Sequence, residues 1–234
     1  MTESTLSLPE RVAIVGGHGK IALALTKLLV ADGVEVRSLV RNADHAAELE
    51  ALGAIPVVCD IESASANELA DAFDHSDAVV FAAGAGPGSG AERKRTVDRD
   101  GSIKSAEAAI LSGAMRFVQI SFMGAEQPSQ SDDEVFAAYW DAKREADEAL
   151  RRVALDWTIV KPGGLTDEPA TGRGLVSFGP IDRGGKTRRA DVAALIRLAL
   201  ADSRTVWKDI CLVEGDAPLA DAIDAAVAAA TPQA

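Results

Sequence analysis

Cysteine, aromatic side chains and positive charge are all scarce in this chain. The two cysteines, Cys59 and Cys211, are too few for the disulfide framework of a small secreted fold, and both fall in expected strands. His18, His45 and His75 stand in unrelated turn, helical or loop positions, so with two distant cysteines they offer no zinc-ligand spacing, and no metal site is expected. There is no Gly-x-Ser-x-Gly elbow of the kind a hydrolase uses. Apolar stretches are cut by charges such as Lys27 long before they could cross a bilayer. The 24 basic residues are outnumbered by 36 acidic ones, and a net charge of −12 repels nucleic acid and anionic membranes at long range. The expected partner is therefore a small molecule, and an anionic one needs positive charge at its own site. The start, Met1-Thr2-Glu3-Ser4-Thr5, has neither the basic residues nor the apolar run of a secretory signal, so a reducing cytoplasm is expected.

What the chain does have is Val12-Ala13-Ile14-Val15-Gly16-Gly17-His18-Gly19-Lys20-Ile21-Ala22: a β-branched run, a glycine turn and the opening of an amphipathic helix. Gly16 can turn tightly out of a buried strand, Gly19 lets backbone approach a pyrophosphate, and Ala22 is small enough for helix to pack on sheet. The helix start, with free N–H groups and about half a positive charge, favours an anion. His18 inside this turn is expected to face solvent, the alternative being a donor to the pyrophosphate.

Strand and helix patterns then alternate. Strands are expected at 11–16, 34–40, 55–59, 78–83, 117–121 and 157–160, and helices at 19–32, 43–52, 64–74, 96–112 and 134–153. Such alternation implies right-handed crossovers and a doubly wound parallel sheet with helices on both faces, a Rossmann-like α/β fold with ligands over the carboxyl ends of the strands. One domain over residues 1–234 is expected. Residues 163–188 are rich in glycine and read as substrate-side loops with short strands at most; a helix at 190–201, a strand at 210–213 and an alanine-rich helix at 218–229 complete a small C-terminal region.

At the end of the second strand, where selection of NAD(H) calls for an acidic side chain, the chain has Arg41-Asn42. Arg41 can pair with a 2′-phosphate through forked hydrogen bonds, so NADP(H) is preferred over NAD(H). Asp60-Ile61 stands where an adenine is flanked, Asp60 being equally suited to capping the next helix. The loop Ala82-Ala83-Gly84 onward is glycine-rich and runs into Arg93-Lys94-Arg95, a basic hinge for a lid over phosphates. Tyr139 and Lys143 share a helical face, which brings an ammonium toward a phenol to lower its pKa and to bind a ribose. Tyr139 then becomes a proton donor to a carbonyl that Ser121 orients.

These segments, with Val-Asp-Arg-Asp-Gly at 97–101, Ala-Lys-Arg-Glu-Ala-Asp at 142–147 and Thr-Ile-Val-Lys-Pro-Gly-Gly-Leu-Thr-Asp at 158–167, resemble the short-chain dehydrogenase/reductase superfamily. The resemblance is to its atypical NAD(P)H-binding branch of NmrA-like and epimerase-like proteins, and it covers nearly the whole chain. It implies a cofactor lying along Gly16, Gly17, His18, Gly19, Lys20 and Ile21, then Arg41, Asn42, Asp60, Ile61, Ala82, Ala83 and Gly84, and finally Ser121, Lys143, Pro162, Gly163, Gly164 and Leu165. It makes Tyr139, Lys143, Ser121 and Asp98 the catalytic set. Three departures stand out: Asp98 replaces an asparagine that relays protons, the interval from Ser121 to Tyr139 is long, and Lys161 replaces the usual arginine before Pro-Gly-Gly. The expectation is an NADP(H)-binding oxidoreductase acting on a small carbonyl or alcohol, as a monomer or homodimer. A nucleotide-responsive regulator is the alternative, with sugar-nucleotide epimerase or dehydratase chemistry less favoured by the short C-terminal region.

Overall fold

The computed structural model describes residues 7–86, 88–129, 131–182 and 184–230; the N-terminal pentapeptide and Pro87 of the glycine-rich loop lie outside them. β1 (Arg11–Val15), β2 (Glu35–Val40), β3 (Ile55–Val58), β4 (Ala78–Phe81), β5 (Arg116–Ile120) and β6 (Asp156–Pro162) run parallel in the order 3-2-1-4-5-6. The order reverses between β1 and β4, and it is there that a crevice opens at the carboxyl ends of a doubly wound sheet.

Alternation along the strands sends successive side chains to opposite cores. Val12 and Ile14 pack with Leu25 and Leu29 of α1 (Lys20–Ala31), while Ala13 and Val15 meet Leu69 and Phe73 of α3 (Ala66–Phe73) on the other side. The first core also takes Leu49 of α2 (Ala46–Ala51). After the single helical turn α4 (Ala91–Arg93), α5 (Gly101–Ser112) and α6 (Glu134–Leu150) cover the second core, and α7 (Arg189–Ala201) and α8 (Leu219–Ala230) the first. Apolar burial on both faces explains why the strands read as near-continuous β-branched runs.

Two local expectations need correction, and the short strands allowed within 163–188 are present. The helix expected to start at residue 96 begins at Ala91 and passes through a π-helical segment, Lys94–Asp100, before α5. A π-helical segment widens the turn, and this one buries Val97 and Asp98. Residues 163–188 contain β7 (Gly164–Thr166), β8 (Arg173–Ser177) and β9 (Lys186–Arg188). The strand expected at 210–213 extends to β10 (Lys208–Pro218), which continues the sheet parallel to β6 and pairs antiparallel with β8. Glu214-Gly215-Asp216 interrupt its apolar pattern, and its register shifts between Val213 and Pro218. β7 and β9 form a separate parallel ribbon, and α8 buries Leu219, Ala222, Ile223 and Ala226 as packing surface.

Candidate functional site

Two clefts open along the carboxyl edge of the sheet. The first, about 470 Å³, lies over β1, β2 and β4 and is lined by Gly16, His18, Gly19, Arg41, Asn42, Asp60, Ile61, Ala82, Ala83 and Gly84. Gly16 turns at φ +80°, and a Cβ there would stand 2.6 Å from the Ala83 Cα; one on Gly17 would stand 2.6 Å from the Ser38 Cβ. Both amides donate to the Leu39 carbonyl, at 3.2 and 2.9 Å. Gly19 is the N-cap of α1 and has no side chain to cap it, and the first turn holds no acidic residue. The N-terminal N–H groups therefore form a positive end that suits a pyrophosphate, so the residues present fit a nucleotide cofactor.

Not every residue expected along the cofactor lines this cleft. Gly17 lies beneath the turn against Ser38, Ile21 packs against the core, and Lys20 is 68% exposed and pairs with Asp167 at 2.5 Å. Asp60 caps its own turn, its carboxylate accepting from the Glu62 amide at 3.0 Å, and Asn42 likewise accepts from the Asp44 amide at 3.0 Å. Arg41 is 58% exposed and 3.9 Å from Glu62. Sequence reasoning missed Glu62, which lines the cleft; Arg93 donates to it at 3.0 and 2.8 Å and Thr96 at 2.7 Å, holding its carboxyl below the usual range. The basic hinge is thus partly neutralised: Arg93 is held by Glu62, and Lys94 donates to the Gly86 carbonyl at 2.9 Å. His18 and His45, expected in unrelated places, are stacked with ring centroids 3.6 Å apart, and His18 Nε2 lies 2.7 Å from a Glu48 carboxylate oxygen.

The second cleft, about 700 Å³, lies under α6 and beside β6. Ser121, Tyr139, Pro162, Gly163, Gly164 and Leu165 line it, together with Phe122, Phe136, Glu126, Arg189 and Cys211. Asp133 caps α6 by accepting from the Val135 and Phe136 amides at 2.9 and 3.0 Å, which fixes the helix that presents Tyr139. The Tyr139 ring stacks on Phe122 at 5.4 Å, and the Lys94 ammonium sits 5.4 Å from its centroid. Burial, and then Asp98 and Asp147, push the phenol well above its ordinary range. That is opposite to the expected lowering. Lys143 does not offset this: it is buried, donates to the Ile120 carbonyl at 3.0 Å and lies 3.6 Å from Asp98. Asp98 in turn accepts from the Ala85 amide at 3.1 Å, anchoring the start of the glycine-rich loop. Lys143 and Asp98 line neither cleft.

Beneath the second cleft runs a set of charges centred on buried Lys161 and Asp147. Ser121 Oγ donates to Asp147 at 2.8 Å, and the Gln119 amide donates to the other oxygen at 2.6 Å. Lys161, 2% exposed, lies 2.9 Å from Glu126, 2.9 Å from Asp209 and 3.8 Å from Asp147. Burial pulls its ammonium down, but the three carboxylates outweigh that and raise it. Burial pushes the Asp147 carboxyl up, with Lys161, Ser121 and Gln119 opposing. The replacement of arginine by Lys161 was the signal for this cluster, whose partners come from three other segments. The Cys211 thiol is pushed up to about 11, chiefly by burial, and the Cys59 thiol in the first cleft is likewise raised. Among the described residues no group of three or more His, Cys, Asp or Glu could hold a metal ion, and no helix is long and apolar enough to cross a membrane.

Comparison with known proteins points the same way. A family model described as NAD(P)H-binding matches residues 16–203. The "Uncharacterized sugar epimerase YhfK" of Bacillus subtilis is 35% identical over 214 residues, covering 91% of this chain and 98% of that one. A solved structure, "Putative NAD-dependent epimerase/dehydratase" from Bacillus halodurans, is 36% identical with a TM-score of 0.86 over 92% of this chain and 99% of that one. ChuY, an anaerobillin reductase from Escherichia coli O157:H7, is 25% identical with a TM-score of 0.72 over 88% of this chain and 98% of that one.

Proposed function

The chain belongs to the NAD(P)H-binding family, and on that premise we propose that it is an NADP(H)-dependent oxidoreductase of the atypical short-chain dehydrogenase/reductase type. The observation that carries this reading is the pair of clefts along the carboxyl edge of the sheet, one at the strand reversal with a glycine turn at a helix N-terminus, the other beside β6 with Tyr139 and Ser121. The nucleotide's adenosine and phosphates belong in the first cleft, held by the turn at Gly16–Gly19, by Arg41 and by the Asp60–Ile61 and Ala82–Gly84 walls. Its nicotinamide end belongs toward Ser121 and Pro162–Leu165. When bound, the cofactor supplies or accepts a hydride. Tyr139 and Ser121 hold the oxygen of a small carbonyl or alcohol, and Phe122 and Phe136 give it an apolar wall. A phenol held neutral by burial suits the donor side of that contact. Residues 163–188 form the substrate side of the one domain, in a monomer or homodimer. The unpaired cysteines and the net charge of −12 fit a reducing cytoplasm and no nucleic-acid or membrane partner.

The reading is tested by calorimetric titration with NADPH and NADH, repeated on Arg41→Ala. NADPH is expected to bind more tightly than NADH, and to lose about 1.5–3 kcal/mol on the substitution, the range for a hydrogen bond to a charged group. If neither nucleotide binds, the reading fails. A second reading, a nucleotide-responsive regulator with little catalysis, is favoured by Lys143 being committed to Asp98 and the Ile120 carbonyl. Turnover over a panel of carbonyl compounds separates the two: an enzyme loses roughly 100-fold or more in kcat on Tyr139→Phe, whereas a regulator turns over none of them. The sugar-epimerase name of the Bacillus subtilis relative is the third reading; the segment 163–188 offers it only β7, β8, β9 and short loops.

A further inference from the structure

The first cleft holds two titratable rings that the nucleotide reading leaves unused. His18 leaves the glycine turn after β1, and His45 closes the short 3-10 turn Ala43–His45 after β2. Their rings are stacked with planes 9° apart, and both line the cleft together with Arg41 and Asn42. Two imidazolium ions face to face repel one another, and negative charge beside them offsets that repulsion. Among the described residues that face the pair, Glu48 on α2 engages His18 at 2.7 Å. The other acidic groups nearby are turned elsewhere: Asp44 toward the Asn42 side-chain amide at 3.3 Å, Asp60 toward the Glu62 amide, and Glu62 toward Arg93 and Thr96. The remaining cations at this cleft are Arg41, mostly exposed, and Arg93.

We propose that the His18–His45 stack is a proton-linked subsite for a phosphate monoester, the 2′-phosphate by which NADP(H) differs from NAD(H). The inference rests on the nucleotide reading of the first cleft. A dianion placed against Arg41 and Asn42 supplies negative charge beside the stack, so binding takes up a proton at His45, with Glu48 already against His18. The sign of the pH dependence follows. As pH rises through the imidazole range the ring loses its proton and affinity for the phosphate falls. The monoester's own second ionisation, near pH 6, acts the other way, because the dianion binds cations better than the monoanion does. A cleft holding only Arg41 and Arg93 would therefore bind NADPH more tightly at pH 8 than at pH 6; with the histidines the trend reverses.

The test is calorimetry on the full chain with NADPH, NADH and adenosine 2′,5′-bisphosphate, at about pH 6 and about pH 8, each in two buffers of different ionisation enthalpy. For the two 2′-phosphorylated ligands, affinity is expected to fall about 3- to 10-fold from the lower to the higher pH, with net proton uptake; the ceiling is tenfold per pH unit for one linked proton. NADH should show neither. His45→Gln should remove the uptake and reverse the slope for NADPH while leaving NADH affinity and melting temperature in place. NADPH binding without proton uptake, or with the same rising affinity in the parent and in His45→Gln, overturns this inference and leaves the nucleotide reading standing. No binding by any of the three ligands overturns both.

Discussion

The first cleft is bounded by glycine backbone and by charges that water reaches, whereas the second stands over Lys161 and Asp147, which water does not reach. Arg41 is 58% exposed beside the first; Lys161 is 2% exposed beneath the second. An exposed charge can exchange its partner for a ligand at little cost, because solvent screens what is left behind. A buried charge cannot, because removing either partner leaves the other without compensation. On the proposed function, the first cleft selects its ligand by charge, and the second holds Ser121 and Gln119 in one arrangement under the substrate.

The sharpest way to break this contrast is Lys161→Ala. It takes from buried Asp147 the cation 3.8 Å away, while Asp209, 26% exposed, keeps Arg151 at 2.6 Å, and the expected loss is about 3–5 kcal/mol of folding stability, read from denaturant melts. A loss below about 1 kcal/mol, the size of an exposed pair, would mean that the cluster is hydrated and that the two clefts do not differ in kind.

Gly16→Ala is the matching cut in the first cleft. The position has φ +80° and a new Cβ would stand 2.6 Å from the Ala83 Cα, a backbone atom that cannot swing away. Strain of about 1–3 kcal/mol is expected, with loss of NADPH binding in excess of the loss of stability, since the turn that shapes the anion site is what moves. Equal losses in both would reduce Gly16 to a folding residue.

These two positions also show what could be read in advance. Gly16 was legible because a glycine between a β-branched run and a helix has few structural uses, and the alternation from β1 to β6 was legible because the strands inside the edge strand β3 are largely buried on both faces. Lys161 was legible only as an oddity, since Glu126, Asp147 and Asp209 reach it from three separate segments. The four-residue spacing of Tyr139 and Lys143 correctly placed both on α6. It did not show that the π-helical segment carries Asp98 to the lysine. The far half of β10 was hidden, and β8 was legible as no more than a short strand, because glycine and charge break their alternation; their pairing with each other is what holds them in the sheet.

Glu62→Gln gives the smallest effect on stability and tests the first cleft directly. The carboxyl is held below its ordinary range chiefly by Arg93, then by Thr96, so its contribution is present above the unfolded value and is lost as pH falls through the lowered folded value. For a pair only partly shielded from water that contribution is about 0.5–1 kcal/mol. The difference in stability between the parent and Glu62→Gln should thus be seen at neutral pH and close in acid. The same substitution removes the anion 3.9 Å from Arg41 and the partner of Arg93. NADPH affinity should then rise several-fold while NADH affinity stays level, because only the former brings a 2′-phosphate to the freed guanidinium groups. If both nucleotides instead weaken together, Glu62 shapes the cleft wall through Arg93 and Thr96, and ligand choice there is set by buried geometry, as beneath the second cleft.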